Sequence, residues 1–216
     1  MTTLDFFEAI RAGDTARVQV LIDDDPILVN ARSGVSAVLT ALYYGQTLIA
    51  QILVMRGAQL DIFDAAAIGQ RDRLNTLLND PAAKSDLVNC YASDGFQPLG
   101  LAAFFGHIDI VAELIAHNAD VNSASRNGQT VQPLHSAVAA KCTDIAQLLI
   151  QSGANVNAVQ AGGFTPLHGA AQNGDINMIN LLLANGANTG IKLPDGQTPY
   201  DIAMENGHMA AASLLA

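Results

Sequence analysis

Apolar and polar residues follow one another along this chain in a unit that repeats. The recurring phrase is a pair of small residues, two variable residues and a glycine, followed about six residues later by a Leu/Ile-rich triplet. It reads Ala102-Ala103-Phe104-Phe105-Gly106 and Ala170-Ala171-Gln172-Asn173-Gly174, and more loosely Ala41-Leu42-Tyr43-Tyr44-Gly45. The glycine slot holds Gly13, Gly45, Gly69, Gly106, Lys141, Gly174 and Gly207, a mean period of about 32 residues. Each unit predicts two antiparallel helices. In the best-formed one, Thr165-Pro166 supplies a capping hydroxyl and a proline where no backbone donor is needed, and Gly174 ends the first helix. Ile176, Ile179, Leu182 and Leu183 then form one apolar stripe on the second helix, with Asn177 and Asn180 facing out, before Asn185-Gly186-Ala187-Asn188 stops it. The small pair lets neighbouring first helices approach closely, where a large side chain would overpack. Such units share apolar faces only with immediate neighbours, which predicts a stacked array.

Gly163-Phe164-Thr165-Pro166-Leu167-His168-Gly169-Ala170-Ala171 and Asp195-Gly196-Gln197-Thr198-Pro199-Tyr200 resemble the ankyrin repeat, with its T-P-L-H-x-A phrase. Ala119-Asp120-Val121-Asn122 and Ala154-Asn155-Val156-Asn157 are similar to its A-D-V-N segment. The resemblance extends over residues 4–216. It implies an all-α ankyrin-repeat solenoid of stacked helix-turn-helix units with short β-hairpin loops. A single domain, 1–216, would hold seven units at about 4–32, 33–61, 62–92, 93–124, 125–158, 159–191 and 192–216. Three departures stand out. Unit four carries Pro98-Leu99-Gly100 in place of the usual histidine. Unit five has two extra residues in Gln129-Thr130-Val131-Gln132-Pro133-Leu134-His135, which predicts a longer hairpin tip. Between Gly45 and Gly69 there is no room for a hairpin, and Leu60-Asp61-Ile62-Phe63-Asp64-Ala65 echoes the start Leu4-Asp5-Phe6-Phe7-Glu8-Ala9. We read this as a stack begun twice, with units one and three lacking hairpins and a notch between the hairpins of units two and four. Glu8, Arg11, Asp14, Arg17 and Gln19 give the first unit a polar outer face, whereas Met209, Leu214 and Leu215 leave the last one bare.

Composition narrows the function. Half the residues are hydrophobic and 14% charged, which excludes a disordered chain. Twenty acids against ten bases give a net charge of −10, so the field repels phosphate backbones and anionic headgroups. Neither nucleic acid nor membrane is an expected partner, and a basic or neutral protein surface is. The uncharged stretch from Ser33 to Met55 approaches a membrane span in hydropathy, but Tyr43-Tyr44-Gly45-Gln46-Thr47 at its centre reads as a turn between two short helices. Two separated cysteines, Cys90 and Cys142, and an acidic start without a leader pattern fit a reducing, cytoplasmic setting.

Candidate chemistry is sparse. The chain has no glycine-flanked nucleophilic serine, phosphate-cradling loop, His-Glu-x-x-His or calcium loop, so neither enzymatic activity nor a cofactor or metal is expected. His135 and His168 sit in the T-P-L-H slot and are expected to bond turn backbone; His107 and His208 follow turn glycines, and His117 stands outside these slots. Lys141 beside Cys142 would lower that thiol's pKa. Asp23-Asp24-Asp25 reads as a solvated turn, and Asp94 and Asp195 as acceptors of hairpin backbone bonds. The variable pair before the turn glycine is Tyr43-Tyr44 in unit two and Phe104-Phe105 in unit four. The resemblance implies that the first of each pair faces the concave groove and the second packs partly between units. Two readings follow: the aromatics fill the gap left by the missing hairpin, or they anchor a partner. The hairpin tips add Tyr91, Phe96, Arg126, Asn127, Gln129, Gln132, Phe164 and Lys192. By resemblance the chain is a non-enzymatic protein-binding module using its concave helix face and hairpin loops, expected to be monomeric; the alternative is a self-associating structural protein.

Overall fold

The computed structural model describes residues 2–82 and 86–216, so that 83–85, inside the third unit, lie outside the described residues. Fourteen α-helices run in pairs among them: α1 (Thr3–Ala12) with α2 (Thr15–Asp24), α3 (Ala37–Tyr43) with α4 (Thr47–Met55), α5 (Ile62–Ile68) with α6 (Arg71–Leu78), and α7 (Pro98–Phe105) with α8 (Ile108–Ala116). The series continues with α9 (Pro133–Ala139) and α10 (Thr143–Gln151), α11 (Pro166–Asn173) and α12 (Ile176–Ala184), α13 (Pro199–Glu205) and α14 (Met209–Leu215). First helices pack on first helices, α1 on α3, α5, α7, α9, α11 and α13 in turn; α2 packs on α4, and α6, α8, α10, α12 and α14 form the rest of the outer row. The alanine pairs Ala102-Ala103 and Ala170-Ala171 are fully buried between those first helices. This is the all-helical solenoid the repeat pattern predicts. No described helix is long and apolar enough to cross a membrane.

The local chemistry repeats as the caps demand. Thr165 accepts from the His168 backbone N–H at 3.4 Å, while His168 Nδ1 accepts from the Thr165 backbone N–H at 3.2 Å, a reciprocal box that satisfies two orphan donors. Gln132 N–H donates to His135 Nδ1 in the same way at 3.3 Å. Aspartates fill that slot elsewhere: Thr2 with Asp5, Asp61 with Asp64 and Thr198 with Asp201. Position 46, 107, 142 or 208, one past the turn, covers the preceding unit's turn glycine. A Cβ on Gly69 would come within 2.7 Å of the His107 ring, and one on Gly174 within 2.6 Å of His208, so only glycine allows this approach. Ile179 and Leu182 are fully buried as predicted, and so is Met178, which the simple stripe missed. Each contributes roughly 1.5–3 kcal/mol.

A ladder of asparagines ties units together along the outer loops. Asn89 Oδ1 accepts from Asp120 N–H, Asn122 Oδ1 from Asn155 N–H and Asn157 Oδ1 from Asn188 N–H, each at 2.8 Å. Their amide groups donate onward to the carbonyls of Asn118, Gly153 and Gly186.

The stack is interrupted where the 24-residue step falls. The first hairpin joins β1 (Arg32–Ser33) to β2 (Val35–Ser36) antiparallel, and later ones are closed by Ala92 N–H to Phe96 O, Ser125 N–H to Val131 O, Gln160 N–H to Phe164 O and Leu193 N–H to Gln197 O. The Ser125 loop spans two residues more than its neighbours, as its sequence predicts. None precedes α5, whose helix begins directly after Asp61. The apolar core divides at the same point. One cluster runs from Phe6 to Leu60 and another from Ile62 to Leu215, bridged by Leu39, Ala67 and Leu101. Polar links span the joint: Arg32 with Asp61, and Ser36 Oγ donating to Asp64.

Candidate functional site

A cleft of about 740 Å³ lies between the first helices and the hairpin row. Gly100 and Leu101 of α7, Ser136, Val138 and Ala139 of α9, and Gly169 and Gln172 of α11 make one side. Phe96, Val131, Gln160 and Phe164 of the hairpins make the other, with Tyr43 and Asn206 at the ends. No lining side chain carries a formal charge at neutral pH, in a chain whose net charge is −10. His135 stays neutral there because burial lowers its pKa, only partly offset by the Phe164 and Ala158 backbone carbonyls.

The aromatics divide between the two sequence readings. Phe105 is half-buried against the Leu39, Ala67 and Leu101 cluster and fills the joint. Tyr43 and Phe104 line the cleft and remain 38% and 46% exposed. Tyr43 stacks on Phe105 at 6.0 Å, and Phe104 meets Phe105 edge-on at 5.2 Å. With no hairpin on unit three, the Tyr43 hydroxyl reaches past it and donates to Asp94 Oδ2 at 2.5 Å. Burial, that bond and the carboxylate charge all raise the phenol pKa. Tyr44 is exposed and does not line the cleft.

Of the hairpin candidates, Phe96 and Phe164 are half-buried and line the cleft. Tyr91 is held: its hydroxyl bonds Ser123 Oγ at 2.7 Å, and the Arg126 guanidinium lies 3.8 Å from its ring centroid. Arg126, Asn127, Gln129 and Lys192 are exposed along the hairpin edge, and Gln132 is half-buried at the α9 cap. Asn127 Oδ1 accepts from Ser125 Oγ and Gln129 N–H, which fixes the loop, and Gln129 O accepts from Ala161 N–H of the next hairpin. Asp94 and Asp195 accept from Phe96 and Gln197 N–H, the turn role expected of them.

The remaining reactive types have structural partners. His135 and His168 accept through Nδ1, which leaves Nε2 as the protonated nitrogen. That nitrogen is buried without a hydrogen-bond partner in both rings, while backbone groups of the next hairpin, Phe164 and Ala158 for His135, Gln197 and Ile191 for His168, partly offset the lowering of the pKa by burial. The expectation for Cys142 is corrected: its pKa is raised, by burial and by the Asp144 charge, and Lys141 does not activate it. Its sulfur sits 3.4 Å from where a Gly106 Cβ would be, in the cover position that His107 and His208 take elsewhere. Asp23 pairs with Arg56, and Asp25 accepts from Ile27 N–H. Among the described residues no group of three or more His, Cys, Asp or Glu is placed to hold a metal.

Sequence reasoning missed the amide side of the cleft, Gln160, Gln172 and Asn206, because single polar residues in variable slots carry no periodic signal. It noted Gly100 only as a departure.

Comparison with known proteins agrees with this architecture. Family models described as ankyrin repeats match residues 62–160 and 149–203. Alpha-latrocrustotoxin-Lt1a of Latrodectus tredecimguttatus is 45% identical over 65 residues, 30% of this chain and 4% of the toxin. Ankyrin repeat domain-containing protein 49 of Bos taurus is 40% identical over 56 residues, 26% of this chain and 24% of that protein. The chain thus spans a quarter or less of these two relatives. The putative ankyrin repeat protein YahD of Escherichia coli (strain K12) is 32% identical over 174 residues, 74% of this chain and 85% of its own length. With its paired helices, its hairpin row and these matches, the chain belongs to the ankyrin repeat family.

Proposed function

We propose that this protein is a non-enzymatic binding module that holds an uncharged, partly apolar segment of another protein in the cleft between its first helices and hairpins. Ankyrin repeats are in general protein-interaction modules; the location is our reading. The observation that carries it is the cleft itself: exposed Tyr43 and Phe104 at one end, amide side chains at the other, and no formal charge between them. Exposed aromatics on a rigid support suit binding anchors, since they bury much area at little entropic cost. The sequence allows a basic or a neutral contact; the lining favours the neutral one.

Selection of short random peptides on the full chain tests this, with Tyr43→Ala plus Phe104→Ala as counter-target. Enriched peptides should be uncharged, with aliphatic or aromatic anchors, and should lose about 30-fold or more in affinity for the variant, the loss of one hot-spot residue or more. Peptides that are basic, or that bind both proteins alike, would count against the cleft. A second reading, self-association, is favoured by Tyr200, Met204, Met209 and Leu214, all exposed on the last unit. Sedimentation at rising concentration separates the two, a constant monomer removing the second.

A further inference from the structure

Gly100 occupies the slot that His135 and His168 fill in the two units that follow. In those units the imidazole does two things. Nδ1 accepts from the N–H of the residue before the helix, Gln132 or Thr165, at 3.3 and 3.2 Å. Nε2 is buried without a hydrogen-bond partner, and the carbonyls of the next hairpin that favour the protonated ring are the one that closes the hairpin and the one two residues before its closing donor. Carried to unit four, the same register names Gln97 N–H as donor, and the Ser123 and Val131 carbonyls as acceptors. Gln97 is buried, and among the described residues nothing accepts from its backbone N–H. Nothing described donates to the Ser123 carbonyl either. The space is open: a Cβ on Gly100 would meet only Ser136 Oγ, at 4.0 Å, and Gly100 and Val131 both line the uncharged cleft.

An unpartnered donor and, in register with the next two units, a pair of acceptor carbonyls beside the open space over Gly100 are the complement of a neutral imidazole, which offers one acceptor and one donor nitrogen. We propose that the space over Gly100 is the anchor pocket of the cleft and takes the neutral imidazole of a histidine carried by the bound protein segment. For the identity of that segment this rests on the binding reading above; the pocket itself can be tested without a partner. Protonation of the incoming ring removes the acceptor nitrogen and adds a charge to a site that has none. The titratable side chains of the lining are His135, whose pKa burial lowers, and Tyr43, whose phenol burial and the Asp94 bond raise, so both are displaced away from the range of the ligand's own titration.

The test is a titration of the isotope-labelled full chain with 4-methylimidazole, the side-chain analogue of histidine, two pH units above and two below its pKa. Expected is a saturable shift of the Gln97 amide, at least tenfold weaker at the lower pH and abolished in Gly100→His, whose own ring fills the space. If that variant does not fold, Gly100→Ala decides, since its methyl has room: binding weakened threefold or more supports the pocket, and unchanged binding overturns it. Toluene binding as tightly as 4-methylimidazole, or an unmoved Gln97 amide up to the solubility limit, would also overturn it. The wider cleft is judged separately by the peptide selection against Tyr43→Ala plus Phe104→Ala, so the two ideas fail in different experiments.

Discussion

Leu39→Ala should loosen the first two units without loosening the last three. Leu39 is 2% exposed and forms, with Ala67 and Leu101, the apolar bridge between the two larger clusters; Phe63, Phe96 and Phe105 pack around it. Truncating a buried leucine costs about 2–5 kcal/mol depending on how far the site collapses. Half-buried Phe105 can relax into the space, so the lower part of that range, about 2–3 kcal/mol, applies here. Units one and two hold only the Phe6 to Leu60 cluster, and two repeats fall short of the three or more that such arrays need to stand alone. Units three to seven share the larger cluster from Ile62 to Leu215 and do not depend on the bridge. Native-state hydrogen exchange reads the difference directly. Amides in α1 to α4 should exchange about 30- to 150-fold faster in the variant, the same 2–3 kcal/mol expressed as an opening equilibrium. Amides in α9 to α12 should stay within a factor of two or so, because nearest-neighbour coupling decays along the array. Leu134→Ala, in the larger cluster, should show the reverse distribution. An equal acceleration from α1 to α14 in Leu39→Ala would refute the argument, since it would make the chain one cooperative unit despite the divided core.

Other expectations follow from single residues. Asn157→Ala removes one accepted and one donated bond between units, at 2.8 and 3.0 Å on an exposed loop; urea denaturation should show a loss of about 1–2 kcal/mol, and Asn157→Asp about half of it. Lys141 sits at φ +58° in a slot that is otherwise glycine, so Lys141→Gly should raise stability by roughly 0.5–1 kcal/mol in the same assay, relief of left-handed strain exceeding the entropy of glycine. Asp64 is buried beneath Ser36 and beside Asp61, and burial first, then the Asp61 charge, raises its pKa to about 6. The folded state therefore holds that proton more tightly than the unfolded chain. The contribution of Asp64 to stability is complete below the ordinary carboxyl value and is lost as pH rises through about 6, by an amount on the order of 1–3 kcal/mol. Asp64→Asn should flatten that fall in a series of denaturation curves between about pH 4 and 7, and an unchanged slope would contradict it.

What could be read from the chain was whatever local periodicity encodes. Thr165-Pro166, the alanine pairs and the turn glycines each act within one unit, so their roles follow from spacing. The missing hairpin before Ile62 and the longer one ending at Val131 were legible as missing and extra residues. What was hidden depends on contacts between units. The bond from Tyr43 to Asp94 joins residues 51 apart and exists because the intervening unit has nothing to interpose. Cys142 was misjudged because a neighbour in sequence, Lys141, counts for less than burial and the Asp144 charge. The second start was legible as a notch in the hairpin row, but the split of the core between Leu60 and Ile62, the Leu39 bridge and the polar links at Ser36 and Arg32 needed the folded chain. The asparagine ladder was visible as a recurring letter whose purpose is to span units.

Repetition gives each position its own internal control, which makes the departures informative. The slot after the helix cap is filled by His135, His168, Asp5, Asp64 or Asp201 in five units, and each closes a box with the cap backbone. Gly100 leaves the Gln97 N–H without that bond. The aromatic pair at Phe104-Phe105 sits in the same helix, and Tyr43 lies across the joint from it, whereas the equivalent positions in units five and six are Ala139-Ala140 and Gln172-Asn173. Lys141 in the turn slot of unit five and Leu39 at the box position of unit two depart from the pattern outside the cleft, whereas Tyr43, Phe96, Gly100 and Phe104 all line it. Departures gathered around one opening support the binding reading proposed above, because contacts kept for a partner would be withheld from the fold.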